Sequence, residues 1–313
     1  MKNAYLGLDC GSASVKLALV GENEELLEKC YLRNRGLLDT VKDGLSKFAN
    51  SGYDIKGVGV TGSGRNFVKI LVGADLTKTE VLAHTIGALK YYPDLRTLID
   101  IGGEDSKLMS IRDGVLEDFV LNNACSAGTG SSLEAIATRI GVPIQDVGEM
   151  ALRSDKRLNI STKCGVFMQS AVVTYLNSGA KKEDILMGVV RGMVDNYLTM
   201  ANGTSLEDPY VYQGATAKNK AIVKAFEERL KTKVIVPEYC DVMGAIGMAL
   251  MTSREGVRSS LFKGFDIIDK SYRVEQKIAR GCDNNCEMSL LYDGTAYVGA
   301  IGNRCERCYP KPK

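Results

Sequence analysis

Long apolar runs, basic tracts and the common nucleotide fingerprints are all missing from this 313-residue sequence, and each absence removes a class of function. No apolar stretch approaches the roughly 20 residues that cross a bilayer. The opening Met1-Lys2-Asn3-Ala4-Tyr5-Leu6-Gly7-Leu8-Asp9 reads as a strand rather than a secretory leader. Lys and Arg total 40 against 38 Asp and Glu, and the net charge of +2 carries no basic cluster. Nucleic acid and an anionic membrane surface are therefore not expected partners. No G-x-x-x-x-G-K-[ST] occurs, which removes the P-loop class. Gly128-Thr129-Gly130 fails the dinucleotide spacing, because Leu133 stands at the third glycine position. There is one histidine, His84, expected as a hydrogen-bonded structural residue rather than a catalytic base.

Cysteine, by contrast, is plentiful. The expected setting is the cytoplasm, where nine cysteines stay reduced and serve metals or redox chemistry rather than disulfides. Cys10, Cys30 and Cys240 lie in apolar segments and read as packing residues. Cys125, in Asn122-Asn123-Ala124-Cys125-Ser126-Ala127-Gly128-Thr129-Gly130, and Cys164, in Ser161-Thr162-Lys163-Cys164-Gly165, each lead a Gly-containing turn into a helix-like run. Two thiolates are half of an iron–sulfur cluster's usual four, and a symmetric dimer would supply the rest. The plainer alternative is a pair of buried thiols acting as small hydrophobes. Cys282-x3-Cys286 and Cys305-x2-Cys308 form two further close pairs. Such pairs signal a metal, with structural zinc as the default and a second iron–sulfur cluster as the rival.

The pattern along the chain is a weak repeat. Strands are expected at Tyr5–Asp9, Val15–Val20 and Leu26–Arg33, then a helix over Leu37–Phe48, a strand Val58–Thr61 and a helix Val81–Tyr92. The cycle restarts with strands Thr97–Ile101, Ser106–Ile111 and Val115–Leu121, the last two joined at Asp113-Gly114. Helices follow over Ser131–Ile140, Val166–Leu176 and Lys182–Met200. A strand Val211–Gln213, a helix Ala217–Leu230, a strand Val234–Val236 and a helix Tyr239–Met251 complete the pattern. The expected division is a first lobe over 1–95, a second over 96–254, and a cysteine-rich extension over 255–313.

Each half opens with a carboxylate at the end of a strand and a small-residue turn: Asp9-Cys10-Gly11-Ser12-Ala13 and Asp100-Ile101-Gly102-Gly103. Turn N–H groups suit phosphate oxygens, and the carboxylate suits a hydrated magnesium. The two turns are expected to face one another across a cleft. One such hairpin would be unremarkable; the duplication favours nucleotide binding. Gly214-Ala215-Thr216-Ala217-Lys218-Asn219 is a third small turn between a strand and a helix, suited to an adenosine or to an ordinary connection.

These pieces together resemble the acetate kinase, sugar kinase, heat-shock chaperone and actin superfamily. The settings of Cys125 and Cys164 resemble one branch, the ATP-dependent activators of 2-hydroxyacyl-CoA dehydratases and related benzoyl-CoA reductase subunits. The resemblance spans roughly residues 4–252. It implies an α/β, two-lobed actin-like ATPase fold of duplicated ribonuclease-H-like domains, with the cysteine-rich extension added. It implies a homodimer whose subunits share one 4Fe–4S cluster through Cys125 and Cys164. ATP and Mg2+ would be held by Asp9, Gly11, Ser12, Ala13, Lys16, Asp100, Gly102, Gly103, Gly128, Gly130, Glu134, Gly214, Ala215, Lys218 and Asn219. Asp105, with Glu104, would orient the attacking water. Free N–H groups at the helix starts near Gly130 and Gly165 would face the cluster. Electrons would come from a ferredoxin or flavodoxin and pass to an iron–sulfur enzyme, such as a 2-hydroxyacyl-CoA dehydratase or a double-cubane-cluster protein. The alternatives are a small-molecule kinase of the same superfamily and a non-enzymatic nucleotide-dependent scaffold. Glu104 departs from the family's usual Gln, Cys10 from its usual Ile, and Ala215-Thr216 from Gly-Val.

Overall fold

The computed structural model describes residues 2–122, 129–160, 165–201, 203–280 and 283–304. The chain runs β1 (Lys2–Cys10), β2 (Ser14–Gly21), β3 (Leu26–Arg33), α1 (Leu37–Ser46), β4 (Tyr53–Thr61), α2 (Arg65–Val72), β5 (Leu76–Thr77) and α3 (Glu80–Tyr91). It continues with β6 (Thr97–Ile101), β7 (Ser106–Arg112), β8 (Val115–Asn122), α4 (Gly130–Ile140), α5 (Val147–Ala151), α6 (Gly165–Asn177) and α7 (Lys182–Thr199). Then come β9 (Tyr210–Gln213), α8 (Lys220–Leu230), β10 (Val234–Ile235), α9 (Met243–Arg254), β11 (Tyr272–Ile278), β12 (Glu287–Asp293) and β13 (Ala296–Ile301). No helix among the described residues is long and apolar enough to cross a membrane.

Two compact units result: Met1–Ala83 with Gly244–Lys313, and His84–Met243. Each holds a five-stranded sheet of the same plan, β3-β2-β1-β4-β5 in one and β8-β7-β6-β9-β10 in the other. In both, the strand carrying the turn carboxylate lies at the centre, antiparallel to the strand after it and parallel to the one on its other side.

In the first unit Leu6 and Leu8 point one way, into a core shared with Val41 and Leu45 of α1 and Val68 and Leu71 of α2. Gly7 points the other way, where α9 crosses so closely that a Cβ would lie 2.0 Å from the Ala245 carbonyl oxygen. That contact requires glycine, and it is why the last long helix belongs to the first unit and not to the sheet preceding it in sequence. Ile267 and Leu291 enter the same core, and the Asp75 carboxylate accepts from Leu261 N and Ser260 Oγ. The segment after α9 is therefore docked on the first unit, ending in the antiparallel sheet β11-β12-β13.

In the second unit β6 is buried throughout, with Ile99 and Ile101 packed among Leu133, Ile136, Val190, Met193 and Phe226. Each such side chain contributes about 1.5–3 kcal/mol relative to exposure. Tyr197 and Tyr212 meet Phe226 edge-on, at centroid distances of 5.4 and 5.2 Å. Tyr197 OH donates to the Lys107 carbonyl at 2.6 Å, which anchors the strand beside the second turn.

Two helix starts differ from the sequence expectation for local reasons. The helix expected over Ala217–Leu230 is a 3-10 turn, Ala215–Lys218, followed by α8. Asn219 Oδ1 accepts from the N–H groups of Ala221 and Ile222 and starts the helix afresh. The helix expected from Tyr239 begins at Met243, because Pro237 to Val242 form turns and the Cys240 carbonyl accepts from Gly214 N.

Candidate active site: two carboxylate turns and a tethered helix

In the first unit Asp9, 3% exposed, is the penultimate residue of β1. Asp9 is cross-strand from Lys16, whose Nζ lies 3.1 Å from Asp9 Oδ2. Gly11 N–H donates to the Ser14 carbonyl at 3.0 Å and closes the turn. Asn34 braces it from outside, donating from Nδ2 to the Gly11 carbonyl and from its backbone N to Ala13. Ser12 is exposed at the tip and Ala13 is half-buried. Cys10 is fully buried beneath them. Burial first, then the charge of Asp9, push its thiol well above the ordinary range, with Lys16 opposing. It stays a protonated packing residue. Cys30 and Cys240 are buried as well.

The second unit repeats the arrangement. Asp100, 2% exposed, is cross-strand from Lys107. Lys107 Nζ lies 3.5 Å from Asp100 Oδ2 and 2.9 Å from Asp105 Oδ2. Gly102 N–H donates to the Asp105 carbonyl at 2.9 Å. Lys107 is a site residue that the sequence reading passed over. The signal was present: Asp9–Lys16 and Asp100–Lys107 share one spacing, D-x-G-x-x-x-x-K. In both turns the N–H of the glycine two residues after the aspartate is bonded inside the turn. Glu104 is exposed beside it.

Three segments distant in sequence meet at this second turn. Gly130 N and Ser131 N, the first two of α4, donate to the Gly102 and Gly103 carbonyls at 2.9 and 2.8 Å. These N–H groups are therefore not the free donors expected at that helix start. They tether it to the turn. Gly214, at φ 93°, passes so close to β6 that a Cβ would lie 2.4 Å from the Ile101 carbonyl oxygen and 3.2 Å from Asp100 Oδ1. Thr216 Oγ1 donates to that same carbonyl at 2.8 Å and accepts from Tyr212 OH. Ala215 continues the turn. Lys218 pairs with Asp241, and Asn219 caps α8. Glu134 lies further along α4, with Ser131, Arg139 and Gln169 around a surface depression of about 660 Å3.

Each turn, taken by itself, has the donor set that suits nucleotide phosphates and their cation. Asp9 and Asp100 are each buried near a strand end, a Cβ at Gly102 or Gly214 would lie within 2.8 Å of a neighbouring oxygen, and Gln213 Oε1 is buried without a hydrogen-bond partner among the described residues. Cys125, Cys164, Gly128, Cys282, Cys305 and Cys308 lie outside the described residues. Cys286, 4% exposed, packs with Met288, Leu290 and Ala300. Among the described residues, no three His, Cys, Asp or Glu side chains gather as a metal site.

Known proteins share this architecture. The (R)-2-hydroxyglutaryl-CoA dehydratase activating ATPase of Acidaminococcus fermentans is 30% identical over 257 residues, 81% of this chain and 98% of that protein. The crystal structure of component A of that dehydratase matches with a TM-score of 0.77, over 81% of this chain and 98% of that one. The activator of the 2-hydroxyisocaproyl-CoA dehydratase from Clostridium difficile, solved with bound ADPNP, matches with a TM-score of 0.76 at 31% identity, over 80% and 95%. These likenesses identify the duplicated sheets as the actin-like ATPase fold. Residues 6–252 match one family profile along their length. The chain belongs to the BadF/BadG/BcrA/BcrD ATPase family.

Proposed function

We propose that this ATPase is an electron-transfer activator, which uses ATP to deliver low-potential electrons to a partner iron–sulfur enzyme. The observation that carries the reading is the pair of hydrogen bonds from Gly130 and Ser131 to the second turn. They link a phosphate-binding loop to a helix that directly follows the Cys125 segment. A movement of the turn is then a movement of that helix. The similar proteins are named as activators of CoA dehydratases, and neither a small-molecule kinase nor a passive scaffold would need this link.

Bound nucleotide and magnesium supply the transferable phosphate and its counter-charge; the chain supplies placement. In this proposal Asp9 and Asp100 hold the hydrated cation. Lys16 and Lys107 keep those buried carboxylates compensated and stand beside the phosphates. Asp105, already bonded to Lys107, orients the attacking water, with Glu104 adding negative charge nearby. The turn at Gly214 and Ala215 receives the adenosine, and Lys218 and Asn219 shape its rim. Cys125 and Cys164 hold a 4Fe–4S cluster shared by two copies of the chain. A ferredoxin or flavodoxin is the donor, and a 2-hydroxyacyl-CoA dehydratase or a double-cubane-cluster protein is the acceptor. The tail cysteines hold a separate metal.

Anaerobically purified protein tests this. The expected result is ATPase activity with about four irons per dimer, the content of one bridging cluster. Accompanying zinc assigns the tail as a zinc site, and about twelve irons without zinc assigns it a cluster per chain. An iron-free protein that phosphorylates a sugar refutes the proposal.

A further inference from the structure

His84 is the chain's sole histidine, lies on α3 and is 8% exposed. Its Nδ1 is 2.7 Å from Gln213 Nε2 and 3.7 Å from Asp100 Oδ1. Gln213 is fully buried and cross-strand from Asp100 in the parallel β6–β9 ladder. Neighbours in such a ladder send their side chains to the same face of the sheet. Asp100 therefore has its two oxygens divided: Oδ2 faces Lys107 and Oδ1 faces His84.

Stability alone does not account for this arrangement. Leaving the Gln213 carbonyl oxygen buried and unpartnered costs about 1–3 kcal/mol, a cost that an apolar side chain of similar size avoids. The contact from His84 to Asp100 is too long for a direct hydrogen bond. It can still bound the rotation of the carboxylate, provided the ring itself is fixed. Gln213 fixes the ring. The amide bonds to the same nitrogen that faces Asp100, so ring, amide and carboxylate form one chain of contacts ending at the nucleotide turn.

We propose that His84, clamped by Gln213, is a positioning residue that holds Asp100 Oδ1 in place for the cation accompanying the nucleotide. The inference rests on the assignment of Asp100 to the magnesium site. It goes beyond that assignment by naming two residues outside the turns that set cation affinity.

Because there is one histidine, its ring signals in an NMR spectrum need no further assignment. With ADPNP bound, replacing Mg2+ by paramagnetic Mn2+ is expected to broaden the His84 ring resonances. His84→Leu is then expected to raise the Mg2+ concentration for half-maximal ATPase activity about ten-fold, the scale of a lost supporting contact behind a metal ligand. The KM for ATP at saturating Mg2+ should stay within about two-fold. His84→Asn keeps a polar atom near the Nδ1 position and should recover most of the loss; Gln213→Leu should fall between. If His84→Leu does not fold, Gln213→Leu and His84→Asn carry the comparison. Nucleotide binding without broadening removes Asp100 from the cation site, and the inference falls with that assignment. Broadening with unaltered Mg2+ dependence in every folded variant overturns the inference alone.

Discussion

The two carboxylate turns share a plan and differ in what is attached to it. Each follows a central strand whose penultimate residue is a buried aspartate paired with a cross-strand lysine, and each accepts a hydrogen bond from the start of a helix. At the first turn the Cys10 carbonyl accepts from Gly64, which precedes α2. At the second, Gly102 and Gly103 accept from the first two residues of α4. What precedes α2 is the turn Gly62-Ser63-Gly64; what precedes α4 is the Cys125 segment. The second aspartate also has His84 and Gln213 behind it and a lysine that reaches a second carboxylate. The comparison teaches a division of labour. Charge pairing is common to both turns and suits phosphate and a cation, whereas the link toward the Cys125 segment is built onto the second.

The largest effect should come from the feature the turns share. Asp9→Asn and Asp100→Asn should each lower ATPase activity by about 100-fold or more, the scale of a lost preorganised electrostatic contact. Steady-state hydrolysis of both variants checks this, and a large loss in only one would break the shared plan. Stability should separate the turns. Lys107 is 6% exposed as a side chain against 17% for Lys16, and its removal uncovers two carboxylates. Lys107→Met should cost about 3 kcal/mol in denaturant unfolding, and Lys16→Met less, since breaking a buried pair costs more the deeper it lies. Equal losses would contradict the asymmetry.

Coupling should separate them too. A Cβ at Gly130 would lie 3.1 Å from Thr216 Cγ2 and 3.2 Å from the Gly102 carbonyl. Gly130→Ala should leave hydrolysis within about three-fold while slowing ATP-dependent electron delivery about ten-fold, a coupling loss of ordinary size. Gly64→Ala, whose Cβ would lie 2.6 Å from the flexible end of Leu37 and 3.3 Å from the Cys10 carbonyl, should spare delivery. If both variants slow delivery alike, the link is not special to α4. The smallest effect is expected for Cys10→Val, which gives the first turn an aliphatic residue as the second has Ile101. A near-isosteric swap in the core costs below about 1.5 kcal/mol, and thermal melting with an ATPase assay should show little else.

Much of this was legible in the sequence because it is local. The strands Leu26–Arg33 and Thr97–Ile101 fall where alternation and turn residues placed them, and both aspartates stand at strand ends as expected. The contacts that were missed are between segments. Lys107 needed the two turns to be aligned on each other. Gln213 reads as the last residue of an apolar strand until β9 pairs with β6 and sets it beside Asp100. The return of α9 to the first sheet is recorded in the sequence only as glycines in β1 and β4, Gly7, Gly57 and Gly59. The helix α2 was passed over because Phe67-Val68-Lys69-Ile70-Leu71-Val72 is a short apolar run that fits strand or helix alike.

The proposed coupling moves the nucleotide turn and the Cys125 segment together. Its most direct test is the rate at which an iron chelator removes iron from the anaerobic protein, with and without ATP or ADPNP. A nucleotide-dependent change in that rate, abolished in Gly130→Ala, is the predicted result. A cluster equally accessible in every nucleotide state would contradict the account.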